Sequence, residues 1–149
     1  VSSHSYATEI GKLFPEVTVE EQACPMWVPL VEYGESNAPG ADYFVEKYTS
    51  ELMQRDPKID TIILGCTHYP LLRPKIREAL PESVKLISQG ELVASSLADY
   101  LLRHPEMEHR LSQGGEISYR TTECPEKFEE LASIFTGTEV RATRVKITG

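Results

Sequence analysis

Cysteine is scarce and scattered. The chain holds three in 149 residues: Cys24, Cys66 and Cys124. An odd count with wide spacing makes no disulfide framework, and the lack of a Cys-x-x-C pair leaves no zinc-binding motif. A reducing, cytoplasmic compartment is the expectation. Basic residues are also in deficit. Lys and Arg number 15 against 23 Asp and Glu, a net charge of −8. Phosphate backbones and anionic membranes require clustered Lys and Arg, so no nucleic acid and no membrane is expected as a partner. No apolar run approaches the roughly 20 residues of a membrane helix. No secretory leader, internal repeat or low-complexity stretch stands out.

What is there is ordinary in amount. Hydrophobic residues make up 40% and charged residues 26%, near the globular average. A chain of this length buries roughly 68–70% of its unfolded surface, enough for a core. The length suits one domain or one lobe of a larger protein. The chain opens on Val1 rather than Met, and the expectation is that it starts inside a longer polypeptide.

Short apolar bursts alternate with helical patterns. Thr61-Ile62-Ile63-Leu64 is apolar on both faces and reads as a central parallel strand. Val84-Lys85-Leu86-Ile87 reads as a second strand, 116–121 and 140–147 as others, and Val17-Thr18-Val19 as a short one. Phe44, Tyr48 and Leu52 share a helix face, as do Leu72, Ile76 and Leu80. Val93, Leu97, Tyr100 and Leu101 form another stripe. Phe128, Leu131, Ala132 and Phe135 form a fourth, with Pro125 inside its first turn and Gly137 as its stop. Strands alternating with helices imply βαβ units and a mainly parallel sheet, an α/β fold.

In such sheets ligands bind at the carboxyl ends of the strands. The strand 61–64 ends in Gly65-Cys66-Thr67-His68-Tyr69-Pro70, with a helix expected to begin near Pro70. Cys66 then sits on the turn before a helix N-terminus, a setting that favours an anion and lowers thiol pKa values. Gly65 lets the backbone turn tightly. Thr67 offers a hydroxyl and an N–H to a carboxylate. His68 can carry a proton near neutral pH. A thiol, an imidazole and an anion cradle suit proton transfer or nucleophilic attack. Taken without this context, a cysteine after a buried strand is a small core residue.

Gly65-Cys66-Thr67-His68-Tyr69-Pro70-Leu71-Leu72 closely resembles the second cysteine motif of the glutamate racemases. Ala23-Cys24-Pro25-Met26-Trp27-Val28-Pro29-Leu30-Val31-Glu32 resembles the family segment that carries a functional glutamate. Val1-x-Ser3-x-x-Tyr6 is similar to the stretch opening the family's second lobe, and Ile87-Ser88-Gln89-Gly90 to the return toward the first. Residues 122–128 and the final strand look like the family's C-terminus. The resemblance thus runs through the whole chain in order.

It implies a flavodoxin-like lobe of a two-lobe racemase fold, with residues 1–88 as the second α/β lobe and 89–149 as a segment returning to the first. It implies glutamate as substrate, bound between the lobes, with no cofactor and no metal. One thiolate removes the α-proton and a second thiol returns a proton from the other face, making D-glutamate for peptidoglycan. By the same resemblance Cys66 is one of those thiols, His68 tunes or protonates it, Glu32 supports that side, and Thr67 holds the substrate carboxylate. On the residues alone, Glu32 and Glu35 read as surface positions at a helix end.

The family's first cysteine lies in a Cys-Asn-Thr run, and an Asp-Ser pair sits near its true N-terminus. Neither is here, and the sole asparagine, Asn37, has no cysteine beside it. The expectation is a C-terminal half, with the N-terminal lobe missing, inactive by itself, and with apolar surface open to that lobe or to a second copy. An aspartate- or hydantoin-type racemase and a non-catalytic pairing lobe are the alternatives. Cys24 and Trp27 read as packing residues and Cys124 as a helix-start position. His4, His104 and His109 lack metal-ligand spacing, and Glu20-Glu21 and Glu129-Glu130 read as wet faces.

Overall fold

The computed structural model describes residues 2–147. Val1, on which the expectation of an upstream continuation rests, lies outside them. The chain divides into two compact units, Val1–Gln89 and Gly90–Gly149.

The first unit runs α1 (Ser5–Leu13), α2 (Trp27–Glu32), α3 (Pro39–Arg55), β1 (Thr61–Leu64), a 3-10 helix (Tyr69–Leu72), α4 (Arg73–Glu78) and β2 (Lys85–Ser88). β1 and β2 pair in parallel, from Thr61 opposite Lys85 to Leu64 opposite Ser88. α3 begins on Pro39, whose missing N–H costs nothing in a first turn. Its Ala41, Val45, Tyr48 and Thr49 fall on one face and are buried, the spacing of an amphipathic helix. The Thr49 hydroxyl donates to the Val45 carbonyl at 2.8 Å, so this buried polar group is satisfied. Leu72 and Ile76 are fully buried and Leu80 nearly so, packing with Trp27, Val31, Val45 and Leu64 in one core. Arg77 donates to the carbonyls of Leu80, Pro81 and Val84. That fork fastens the end of α4 to the approach of β2.

Two strand expectations need correction. Val17-Thr18-Val19 forms no strand; no neighbouring edge pairs with it. β1 is not central either. Among the described residues β2 is its single partner, and Ile63 is 42% exposed.

The second unit holds α5, which starts at the last residue of the first (Gln89–Arg103), then α6 (Pro105–Glu108), β3 (Tyr119–Thr121), α7 (Pro125–Thr136) and β4 (Ala142–Arg144). β3 and β4 pair in parallel, Tyr119 opposite Ala142. Both are three residues long, shorter than the runs 116–121 and 140–147 expected from the pattern. α7 behaves as anticipated: Pro125 opens it, and Gly137 closes it in the left-handed region at φ 68°, donating to the Ser133 carbonyl. Among the described residues of this unit only Val140 is buried. The stripe on α5 is helical but uncovered, with Val93 64% and Leu97 55% exposed. A periodic stripe identifies an apolar face; it does not supply what covers it.

Two of the expected wet carboxylates are engaged instead. Glu129 accepts the Ala142 N–H at 2.7 Å and so ties α7 to β4. Glu21 faces His4 at 2.5 Å with its side chain largely covered.

Candidate active site

The loop after β1 is shaped by backbone bonds. The Tyr69 N–H donates to the Cys66 carbonyl at 3.3 Å and the Leu71 N–H to the His68 carbonyl at 3.1 Å. The resulting 3-10 helix carries Pro70 in its first turn and drives Leu72 into the core. Tyr69 is held from the other side by the Trp27 ring, edge-on at 4.8 Å between centroids. The Trp27 indole in turn donates to the Phe44 carbonyl of α3 at 3.3 Å. The motif therefore rests on packing contributed by α2 and α3.

Glu32 arrives from the last turn of α2. That helix ends in paired bonds: Gly34 N–H to the Val31 carbonyl and Glu35 N–H to the Leu30 carbonyl. This is a Schellman arrangement, which needs a left-handed residue after the cap. Gly34 supplies it at φ 71°.

The structure brings Cys66, His68 and Glu32 together. Cys66 Sγ lies 3.7 Å from His68 Nδ1, within hydrogen-bond reach for sulfur. His68 Nε2 lies 3.2 Å from Glu32 Oε1. A carboxylate only accepts, so in the neutral imidazole a proton on Nε2 facing Glu32 leaves Nδ1 to accept from the Cys66 S–H. Thr67 Oγ1 stands 3.4 Å from the same Nδ1, a second donor on that face. Cys66 is half-buried and Glu32 exposed. The group thus has one packed side and one open side.

The helix expected near Pro70 begins at Tyr69, in 3-10 form. One 3-10 turn precedes the six-residue α4, so few aligned peptides point at Cys66 and little dipole acts there. The imidazole, not a long helix, is the partner of the thiol. Tyr69 is the residue that reading by type left out, although it lies inside the motif. Burial first, and then the neighbouring Cys24 and Cys66, push its phenol up to about 12. Cys24 is buried, its thiol pushed up to about 12 by burial and then by Glu51. Cys124 is exposed before α7 and donates to Glu126 at 2.8 Å, a bond that holds the Glu126 carboxyl below its usual range.

A cavity of about 670 Å³ in the first unit lies elsewhere. It follows the free edge of β1, with Val17 to Gln22 and residues 60–65 among its lining, and Cys66, His68 and Glu32 do not line it. Among the described residues no cluster of three or more His, Cys, Asp or Glu could hold a metal. None of the helices there is long and apolar enough to cross a membrane.

A thiol, an imidazole and a carboxylate meet at the carboxyl end of a parallel strand in an α/β lobe. Comparison with known proteins makes the class particular. No protein-family model matches the chain. Curated glutamate racemases do: that of Geobacter metallireducens is 37% identical over 92% of this chain and 50% of its own length. That of Streptococcus pyogenes serotype M5 is 38% identical over 99% of this chain and 54% of its own. Among solved structures, glutamate racemase isoform RacE1 from Bacillus anthracis superposes with a TM-score of 0.80 at 30% identity, covering 98% of this chain and 53% of that one. Glutamate racemase from Francisella tularensis in complex with D-glutamate gives 0.80 at 27% identity, covering 99% and 53%. The chain is related to the glutamate racemases in sequence and fold. It spans about half the length of the curated relatives it matches, consistent with a C-terminal half.

Proposed function

We propose that these residues are one half of a glutamate racemase, the half supplying one of two acid/base thiols. The observation that carries this is the Cys66–His68–Glu32 line at the end of β1, with Cys66 Sγ 3.7 Å from Nδ1 and Nε2 3.2 Å from Glu32. In this reading Cys66 passes its proton to Nδ1 while Glu32 stabilises the imidazolium. The thiolate then takes the α-proton of glutamate: the Cα–H bond breaks, an S–H bond forms, and the electron pair stays on the carbon and its carboxylate. A second thiol delivers a proton from the opposite face, and the centre inverts. Proton out and proton in balance without an electron acceptor, as the resemblance to cofactor-independent racemases implies. Thr67 offers its hydroxyl to the substrate carboxylate. The product, D-glutamate, is the isomer used in peptidoglycan, and a cytoplasmic site suits that use.

The second thiol belongs to the other half. Cys24 is buried with its thiol near 12, and Cys124 is engaged with Glu126. A carbanionic transition state needs a closed, water-excluded site, yet Glu32 stands open to solvent. The unpaired edge of β1 and the bare stripe on α5 favour a further lobe as cover. We read residues 1–88 as the second lobe and 89–149 as the segment returning to the first.

The test is α-proton exchange. The chain is incubated in heavy water with D-glutamate, L-glutamate and, for specificity, the aspartate isomers, with and without the uncovered half of the Geobacter metallireducens enzyme. No exchange by the chain alone is expected, and exchange with inversion of glutamate once the halves combine. Inversion by the chain alone would reveal a second acid/base group within it. Inversion that survives Cys66→Ser in the combined halves would remove Cys66 from the mechanism.

A further inference from the structure

α1 contributes no buried residue to the core, yet one of its side chains reaches the motif. The Tyr6 ring lies over Gly65, the residue before Cys66. A Cβ built on Gly65 would stand 3.2 Å from Tyr6 Cε2 and 3.4 Å from its hydroxyl oxygen. At the other described glycines a Cβ would meet nothing within 4 Å. The ring therefore stands close over the Gly65 backbone, and a side chain there would require Tyr6 to shift by a few tenths of an ångström. The Tyr6 hydroxyl is also bound: Gln89 Nε2 donates to it across 83 residues of sequence.

The register explains what this pairing spans. Leu64 of β1 lies opposite Ser88 of β2. Gly65 and Gln89 are the next residues of the two strands, at their carboxyl ends. Tyr6 therefore bridges both strand ends, touching one backbone with its ring and one side chain with its hydroxyl. The strand-to-turn junction that carries Cys66 is clamped from outside the core.

We propose that Tyr6 is a positioning residue for Cys66, acting through Gly65 and held in place by Gln89. It does not touch the reacting atoms. It fixes the height at which the turn leaves β1, and with it the spacing of Cys66 Sγ from His68 Nδ1. The proposal rests on the reading of Cys66 as the reacting thiol.

The experiment is a mutant cycle on the 149-residue chain, read by iodoacetamide alkylation of Cys66 against pH. Peptide mass spectrometry follows Cys66, with exposed Cys124 in the same molecule as the reference. Tyr6→Phe keeps the ring and removes the hydroxyl, and Gln89→Met at an exposed position removes its partner. Each is expected to change the Cys66 rate by about fivefold and to move its pH–rate profile, about the effect of one ordinary hydrogen bond, while Cys124 is unchanged. The double variant is expected to match the single ones, because both changes break one bond. Unchanged Cys66 profiles, or effects that simply add, overturn the proposal. Melting curves confirm that each variant is folded; Gln89→Met on the surface keeps the test alive if Tyr6→Phe loosens α1. Alkylation does not require turnover, so this outcome is independent of whether the combined halves racemise glutamate.

Discussion

At the residue scale the three cysteines separate by environment rather than by type. Cys66 has an imidazole at 3.7 Å, Cys124 is exposed, and Cys24 is closed in the core. Iodoacetamide at pH 8 is expected to modify Cys66 and Cys124 and to spare Cys24, which peptide mass spectrometry of the folded chain resolves; early labelling of Cys24 would mean the core opens around it. The same burial links stability to pH. The Cys24 thiol rises from 9.0 to about 12 on folding and the Tyr69 phenol from 10.0 to about 12. Above pH 9 the unfolded chain releases these protons first, so it binds fewer than the folded chain and stability falls as pH rises. The contribution is fully present below about pH 9 and is lost as pH climbs through 12. Urea midpoints are expected to stay level from pH 7 to 9 with respect to these two groups and then decline. Cys24→Val should flatten the first part of that decline and leave the tyrosine's share.

At the element scale two stripes with the same look have different fates. Leu72, Ile76 and Leu80 are buried, while Val93, Leu97 and Tyr100 are exposed. Ile76→Ala is expected to cost about 2–5 kcal/mol, the cost of a core cavity. Leu97→Glu is expected to change the unfolding free energy by less than about 0.5 kcal/mol, the usual scale for surface positions. Chemical denaturation of both variants checks the contrast, and a large loss at Leu97 would show that α5 is covered in solution. The pair also marks what was legible in the sequence. Periodicity revealed α3, α5 and α7, and β-rich bursts between turn residues revealed β1 and β2, because these signals are local. The motif placed Cys66, Thr67 and His68 on one loop because they are consecutive. Glu32 is 36 residues from His68, and the residues alone made it a surface position. The helix end at Gly34 is a local signal, but the packing that brings α2 beside His68 is not. Val17-Thr18-Val19 alternated like a strand but pairs with no edge, and β pairing is decided by a partner, not by a segment.

At the scale of the whole molecule the two units are unequally finished. The first closes a core around Trp27, Val45, Leu72 and Ile76. The second buries only Val140 among its described residues and leaves Leu92, Val93, Leu97, Leu102 and Phe135 exposed. Apolar surface of that extent favours association, and the free edge of β1 offers unpaired backbone groups as a template for another strand. Opposing this is a net charge of −8, which makes copies of the chain repel. Repulsion between exposed charges reaches about 30 Å at 0.01 M salt and about 10 Å at 0.1 M, whereas apolar contact is not weakened by screening. The two forces therefore separate on a salt axis. In sedimentation equilibrium the average mass is expected to stay near 16.7 kDa at low salt and low concentration, and to rise with concentration once salt screens the charge. Leu97→Glu should blunt the rise by breaking the stripe on α5 and adding like charge. The complementary half of a glutamate racemase should suppress it by covering the same surface. A mass fixed at the monomer value across both axes would mean that the exposed apolar residues cover one another in solution, and the second unit would then be complete without a partner.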